Sequence, residues 1–368
     1  MKILDPSKNY LLSRPQGGFT DKMAQIEKSR LYAARYGRCL IMDTTTAGLR
    51  EPFDALFEPT ADFGCEVIVW TPEIGRELDT IENVLPRDLK NRVSTYETTW
   101  VTKAKCCCDI QTGCATLFDF SKDHDEQLLI YDQAGGGIAA IHALSHLVLR
   151  AEIADQIAER LIALGSEYDA VHIRHTDYKT NYRKFLRRLR PRLKGRSVLV
   201  CTDSFDVTQA TRRILCPSTT ILSNANVPDM DGKPLHTAEG LDNRALNLDM
   251  ISDLLALGCA ETLYFTGLAG RYSNRADLSG FSLFADLLWR NPDVIRSFLS
   301  QADPVLLSQL AFGTNRVAVQ PRNLWRKALL LDEWRWNYRA KAKAKRRNTG
   351  ALEKEIRPED IYPKFKKS

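Results

Sequence analysis

The sequence predicts an α/β protein made of two Rossmann-like domains with a cleft between them, followed by a basic helical tail. Three observations point to this. Short β-branched runs alternate with stretches of helical period in both halves of the chain, the signature of parallel sheets covered by helices. The chain has 368 residues, more than one hydrophobic core usually serves, so two domains are expected. The strand-like runs end in glycines or polar residues, where an open parallel sheet delivers side chains to a ligand. The expected division is 1–165, 166–317 and a tail at 318–368.

In the first half, Tyr10, Leu11 and Leu12 form an apolar run that breaks at Gly17 and Gly18. Met23, Ile26, Leu31 and Ala34 then recur at helical spacing as far as Gly37, and Leu40, Ile41 and Met42 follow as a strand ending in Asp43. The unit is β-α-β. A glycine pair lets the backbone approach a ligand, and the N-terminus of the next helix offers free N–H groups to an anion. The full G-x-G-x-x-G spacing is missing, so the motif alone fits a ligand-free tight turn equally well. Further strands are predicted at 63–70 and 128–132, the second closed by Gly135, Gly136 and Gly137. The segment 71–127 between them has little period and is expected to be irregular structure lining a cleft. From 138 to 164 Leu147, Leu149, Ile153, Ile157 and Leu161 follow a helical pattern, which predicts one long helix linking the domains.

The second half opens on 170–177, A-V-H-I-R-H-T-D, around which the chain is organised. Val171 and Ile173 flank His172 as the end of a buried strand, and Arg174, His175 and Asp177 arrive where that strand meets a cleft. Strands at 197–201, 220–223 and 262–266 alternate with helices at 205–214 and 246–258. Arg174 is a planar fork suited to phosphate oxygens. Asp203, ending the neighbouring strand, can accept from ribose hydroxyls or purine N–H groups. Ser279 and Ser282 read as caps of a helix N-terminus, again an anion site. Each also has a purely structural reading: Arg174 paired with Asp177, Asp203 capping a turn, the serines capping a helix.

Composition narrows the class. With 44% hydrophobic and 27% charged residues the chain is an ordinary globular protein, without a run of eighteen apolar residues or the apolar core of a secretory signal near its start. Nine cysteines, with Cys106, Cys107 and Cys108 adjacent, suit reduced thiols in the cytoplasm better than disulfides. Adjacent cysteines cannot all reach one ion and C-x-x-C pairs are missing, so no metal is expected. The net charge is +6, yet residues 322–368 hold fifteen Lys/Arg against six Asp/Glu, a net of +9 that leaves about −3 for 1–321.

At this point V-H-I-R-H resembles the H-x-R motif of the α1,6-fucosyltransferase group, nearest to its rhizobial nodulation branch. Further pieces fall in the same order: L-S-R then G-F-x-D at 12–21, L-R-x-E-I at 149–153, C-T-D-S at 201–204, P-L-H-T-A-E at 234–239, and an acidic helix at Asp253 before Cys259 and Ala260. The resemblance spans about residues 10–290. It implies a GT-B fold, GDP-fucose as donor, a saccharide hydroxyl as acceptor, inversion at the sugar carbon and no metal. The first domain would face the acceptor and the second would hold the donor. Arg174 would bind the donor β-phosphate, with His172 and His175 shaping the diphosphate pocket. Asp203 would lie against the nucleoside, with Asp253 as the acid on a later helix and Asp249 its rival one turn earlier. Ser279 and Ser282 would contact phosphate, and Gly17 and Gly18 would face the cleft from the other domain. Asp177 matches an aspartate of the animal relatives, but their following lysine and glutamate are Tyr178 and Tyr182 here. The catalytic base is therefore not inherited, and Asp177 and Glu239 are candidates by residue type. The run 178–184, Y-K-T-N-Y-R-K, suits a loop reaching over a sugar.

Leu324, Trp325, Leu329, Leu330, Trp334 and Trp336 mix apolar residues into the basic tail. It reads as a helix on the catalytic body with a solvated end, as a contact with the inner face of the cytoplasmic membrane, or, least favoured, as a nucleic-acid arm. Two rivals to a transferase stand: a dinucleotide oxidoreductase, suggested by Asp43 alone, and a GDP-sugar-binding protein of the same fold without transferase activity.

Overall fold

The computed structural model describes residues 3–46, 48–136, 139–176, 180–230, 240–267 and 278–312. Asp177, Glu239, the P-L-H-T-A-E segment and the tail lie outside the described residues.

The first half contains β1 (Tyr10–Ser13), α1 (Phe19–Tyr36), β2 (Cys39–Met42), β3 (Phe57–Pro59), β4 (Val67–Val69), α2 (Pro72–Leu78), β5 (Val84–Leu85), β6 (Thr98–Val101), β7 (Cys106–Asp109) and β8 (Leu128–Tyr131). YLLS, CLIM and LLIY are buried along their whole length, as strands covered on both faces of a parallel sheet must be. They lie at the centre of a five-stranded sheet ordered β4-β2-β1-β8-β5, in which every pairing is parallel.

After these strands comes a link of α3 (Ala140–Ser145), β9 (Leu147–Leu149) and α4 (Ala151–Leu164). The second half contains β10 (Asp169–Ile173), α5 (Tyr182–Leu193), β11 (Ser197–Thr202), α6 (Phe205–Leu215), β12 (Thr220–Leu222), α7 (Asn243–Cys259), β13 (Leu263–Phe265), α8 (Gly280–Arg290), α9 (Pro292–Phe298) and α10 (Pro304–Gln309). Its sheet, β12-β11-β10-β13, is also wholly parallel. α7 is buried on almost every side from Leu248 to Cys259, between the second sheet and α4 and α8. One apolar cluster runs from Leu11, Met23 and Leu129 through Ile153 and Ile157 to Leu254, Phe284 and Phe298. The two sheets are therefore joined by a continuous core, reinforced where Phe19 packs on Phe57 and Phe284, with ring centroids 6.4 and 6.2 Å away.

Three expectations are corrected. The single helix predicted over 138–164 is α3, β9 and α4, because Leu147–Leu149 pairs antiparallel with Phe57–Pro59. The apolar spacing at 147, 149 and 153 suits either period, and the distant partner strand decides it. The strand expected at 63–70 shortens to Val67–Val69, since Gly64 adopts φ +84° and breaks it. Segment 71–127 is not irregular throughout: it holds α2, β5 and an antiparallel hairpin of β6 and β7. In that hairpin the sulfurs of Cys106 and Cys108 lie 3.7 Å apart, and all the cysteines are unbridged.

The C-terminal ends of β1, β2 and β8 close over a buried ionic cluster. Arg14 Nε donates to Asp43 Oδ2 at 2.6 Å, and the guanidinium lies 4.4 and 4.5 Å from the ring centroids of Trp70 and Tyr96. Burial pushes the Lys22 amine down to about 8 and the Asp132 carboxyl up to about 6. Asp43 Oδ1 accepts from the N–H and hydroxyl of Thr45, so both of its oxygens serve the fold. The acid that suggested a nucleotide ribose is thus committed elsewhere, which removes the basis of the oxidoreductase reading. Removing one partner of a buried pair strands the other charge. Asp43→Ala is accordingly expected to destabilise the protein by about 3–5 kcal/mol, read as a lower denaturant midpoint at unchanged slope.

No helix of the described residues is long and apolar enough to cross a membrane.

Candidate functional site

β10 delivers its last residues to the C-terminal edge of the second sheet, beside the end of β11. The chain then turns through Arg174, His175 and Thr176, and the Asp203 carboxylate, one residue past β11, holds that turn. It lies 3.0 Å from Arg174 Nη1 and accepts from the His175 N–H at 2.9 Å and from the Thr176 hydroxyl. Thr180 closes the far side: its hydroxyl donates to the Arg174 carbonyl at 2.9 Å and its N–H to His175 Nδ1 at 3.2 Å. The Arg174 side chain remains 22% exposed, enough to reach a ligand while Asp203 fixes its direction. In a low-dielectric surround such a charge-assisted clamp is stronger than in water.

His172, on the strand itself, is buried against the Phe281 ring, and its Nδ1 lies 2.7 Å from the Ser282 hydroxyl. Burial, with Arg174 adding to it and Asp203 opposing, pushes its imidazole down to about 4. It is neutral at pH 7 and can position Ser282 but not hold a charge. Ser279 caps α8 by accepting the Ser282 N–H at 3.1 Å, and the two hydroxyl oxygens lie 3.0 Å apart. The helix N-terminus, with its partial positive charge, is thereby set on the same edge as Arg174.

The first half meets this edge with the start of α1. Gly17 has φ +90°, and Gly18, extended, leads into the helix without a side-chain cap. A Cβ at Gly136 would lie 2.3 Å from Ala24 Cβ and 3.4 Å from Asp21 Cα, so only glycine lets the β8 loop pack so closely on α1. Across the cleft, a Cβ on Gly280 would fall 3.6 Å from Thr20 Cγ2, which places the first turns of α1 and α8 side by side. Asp21 belongs to this junction. Burial holds its carboxyl above the ordinary aspartate range, while the charges of Lys28 and Arg174 and the Gly18 N–H pull the other way without offsetting it. Two buried hydroxyls nearby, Thr20 Oγ1 and Thr266 Oγ1, have no hydrogen-bond partner among the described residues; Thr266 donates its N–H to the His172 carbonyl.

The structure therefore brings together His172, Arg174, His175, Asp203, Ser279 and Ser282, with Gly17 and Gly18 on the opposing lip. Asp253 stands apart, on α7 beside Cys201, where burial and then neighbouring Asp249 push its carboxyl up to about 7 against the pull of Cys201, Arg160 and Asn224. Asp249 is engaged with Arg160 at 2.7 Å and with the Asn226 N–H at 3.1 Å. The sugar-covering loop expected at 178–184 is corrected in part: Tyr182, Arg183 and Lys184 form the first turn of α5, and Tyr182 is buried edge-on to His175 at 4.6 Å. Sequence reasoning gives no role to Thr20, Thr180 or Thr266, nor to Asp21, although the G-F-x-D piece ends on it. For Asp21 a signal exists, an acid three residues after a glycine pair at a helix start. A hollow of about 230 Å³ lined by Lys8, Arg38 and Glu66 lies at the N-terminal end of the first sheet, the wrong edge for a ligand of parallel strands. Among the described residues no group of three His, Cys, Asp or Glu side chains is placed to hold a metal ion.

Two parallel α/β sheets with a site at their facing C-terminal edges define a GT-B glycosyltransferase fold. Among solved structures, the chain is similar to NodZ α1,6-fucosyltransferase soaked with GDP-fucose, at 20% identity and a TM-score of 0.50, covering 77% of this chain and 93% of that one. NodZ from Bradyrhizobium gives 18% identity and a TM-score of 0.49 over 77% and 94% of the two chains. POFUT1 in complex with GDP-fucose gives 15% and 0.45 over 78% and 95%. No protein-family model and no curated protein matches the sequence. At 20% identity and a TM-score of 0.50, the first of these likenesses shows the fold.

Proposed function

We propose that the protein is an inverting glycosyltransferase that moves fucose from GDP-fucose to a saccharide hydroxyl without a metal ion. The observation that carries this is the convergence of Arg174 with the N-termini of α1 and α8, a positive potential shaped for a diphosphate. In this reading the bond from the sugar C1 to the β-phosphate oxygen breaks and GDP leaves with the electron pair. Arg174 and the helix N–H groups stabilise the charge that develops, and such electrostatic stabilisation usually contributes most to lowering a barrier of this kind. The acceptor oxygen bonds C1 from the opposite face, and its proton passes to a base. Asp21 fits that role: it stands on the lip facing Arg174, and burial holds its carboxyl above the usual range, nearer the working pH. Asp253, its carboxyl pushed up to about 7 by burial on α7, suits hydrogen bonds to a purine edge better than proton transfer to a sugar. Residues 1–165 would then carry the acceptor and 166–317 the donor.

The test is thermal stabilisation by GDP, UDP and NAD, followed by hydrolysis and transfer from GDP-fucose. GDP is expected to raise Tm where UDP and NAD do not, and turnover is expected to survive EDTA. Equal shifts with all three ligands would sink the donor assignment. A GDP-specific shift with no turnover on any acceptor would instead identify a binding protein of the same fold.

A further inference from the structure

We infer that the outer face of α5 is a docking surface for an anionic phospholipid bilayer. α5 buries Tyr182, Leu186, Leu189 and Leu193, one stripe at helical spacing, against the second sheet and α6. The rest of the helix is cationic. Arg183, Lys184, Arg187, Arg188, Arg190 and Arg192 are exposed, and Lys194 follows directly. Among the described residues none of these seven has an acidic partner within ion-pair distance; Arg196, beyond them, is paired with Asp169 and Glu261. Between Asp177 and Asp203 the sequence has no acid at all. Like charges this dense on one face repel one another and destabilise the helix that carries them. A surface that only needed to be soluble would intersperse acids.

The shape of the face selects the partner. Twelve helical residues, with Pro191 in the last turn, make a convex ridge about 18 Å long that can lie along a planar anionic surface. Single-stranded nucleic acid is held in grooves with aromatic stacking platforms, and here the aromatic side chains turn inward: Tyr182 is buried and Phe185 half-buried. Phe205, at the start of the neighbouring α6, is 38% exposed, an apolar ring of the kind that membrane-surface helices insert. Arg212 and Arg213 extend the cationic surface onto α6, with Asp206 its one exposed acid. Because Tyr182 packs on His175, docking would bring the Arg174 edge next to the bilayer.

The full chain should sediment with phosphatidylcholine vesicles containing phosphatidylglycerol, not with phosphatidylcholine alone, and less so as salt rises. Arg183→Gln, Arg187→Gln and Arg190→Gln together should weaken that binding roughly a hundredfold, since each cation near an anionic surface contributes about fivefold. The GDP-induced Tm shift should be unchanged in the triple variant, which keeps good helix formers and verifies the fold. Binding equal to that of the unsubstituted chain would mean that another surface, such as the basic 322–368 segment, does the docking, and would overturn the inference. So would equal binding to neutral vesicles, or displacement from anionic vesicles by single-stranded RNA at physiological salt.

Discussion

Arg174→Ala is expected to lower turnover from GDP-fucose on the order of a hundredfold or more, comparable to losing one oxyanion donor, with little change in fold. The fold should survive because Asp203 keeps the His175 N–H and the Thr176 hydroxyl when the guanidinium is gone, so the turn stays clamped and no carboxylate is left bare. Catalysis should not survive, because Arg174 brings a full positive charge from a strand end to the junction of the α1 and α8 first turns, where the helix N-termini offer only partial charges. Arg174→Lys should recover only part of the loss, since a lysine ammonium cannot span two phosphate oxygens as the planar fork does. GDP affinity, Tm and turnover measured on the same preparations separate the alternatives. Wild-type turnover in Arg174→Ala would refute the assignment of Arg174 to the leaving group.

The strands of both sheets are legible in the sequence wherever they are buried on both faces. YLLS, CLIM and DAVHI are short apolar runs ended by polar or glycine residues, and that is all a central parallel strand has to be. The pattern misleads where the deciding contact is remote. Leu147–Leu149 continues the helical spacing of α4, and only its partner at Phe57–Pro59, some ninety residues earlier, makes it a strand. The cationic helix is hidden for a different reason. Tyr182, Leu186, Leu189 and Leu193 carry a clear helical period, but the residues between them are so polar and aromatic that the stretch resembles a loop. Averaging charge over residues 1–321 yields about −3 and hides seven exposed cations gathered on one ridge.

The site divides along similar lines. The places of His172 and Arg174 at a strand end and of Ser279 and Ser282 at a helix start are legible, because a short apolar run and a serine cap mark those ends. Asp203 is legible by position, yet its work inside the protein is to hold the Arg174–Thr176 turn, the capping role that a strand-end aspartate also suggests. What cannot be read is the meeting of the two halves. Nothing in the spacing of residues 17–21 and 279–282 says that Thr20 lies against Gly280, and the chemistry of Asp21 depends on that meeting.

Asp21→Asn is the sharper test of the mechanism. The amide retains an oxygen for the Gly18 N–H, so the start of α1 should form as before. Losing a positioned general base lowers rate by about 10²–10⁴-fold, and that is the fall expected in kcat/KM. The pH profile carries independent information. With its carboxyl held above the ordinary range by burial, Asp21 should place the acidic limb of kcat/KM above about 3.9, the value of a free aspartate, and the limb should vanish in the asparagine variant. Stability should move in the opposite sense. A carboxyl whose folded pKa is raised binds its proton more tightly in the native state, so stability declines as pH climbs through that raised value and the ionised group opposes folding at neutral pH. Asp21→Asn removes the opposed charge and should leave Tm at pH 7 equal or higher while activity collapses, the pattern of a residue kept for chemistry at some expense of stability. A variant with lowered Tm and unchanged acidic limb would assign Asp21 to helix capping alone, and the proton of the acceptor hydroxyl to another group.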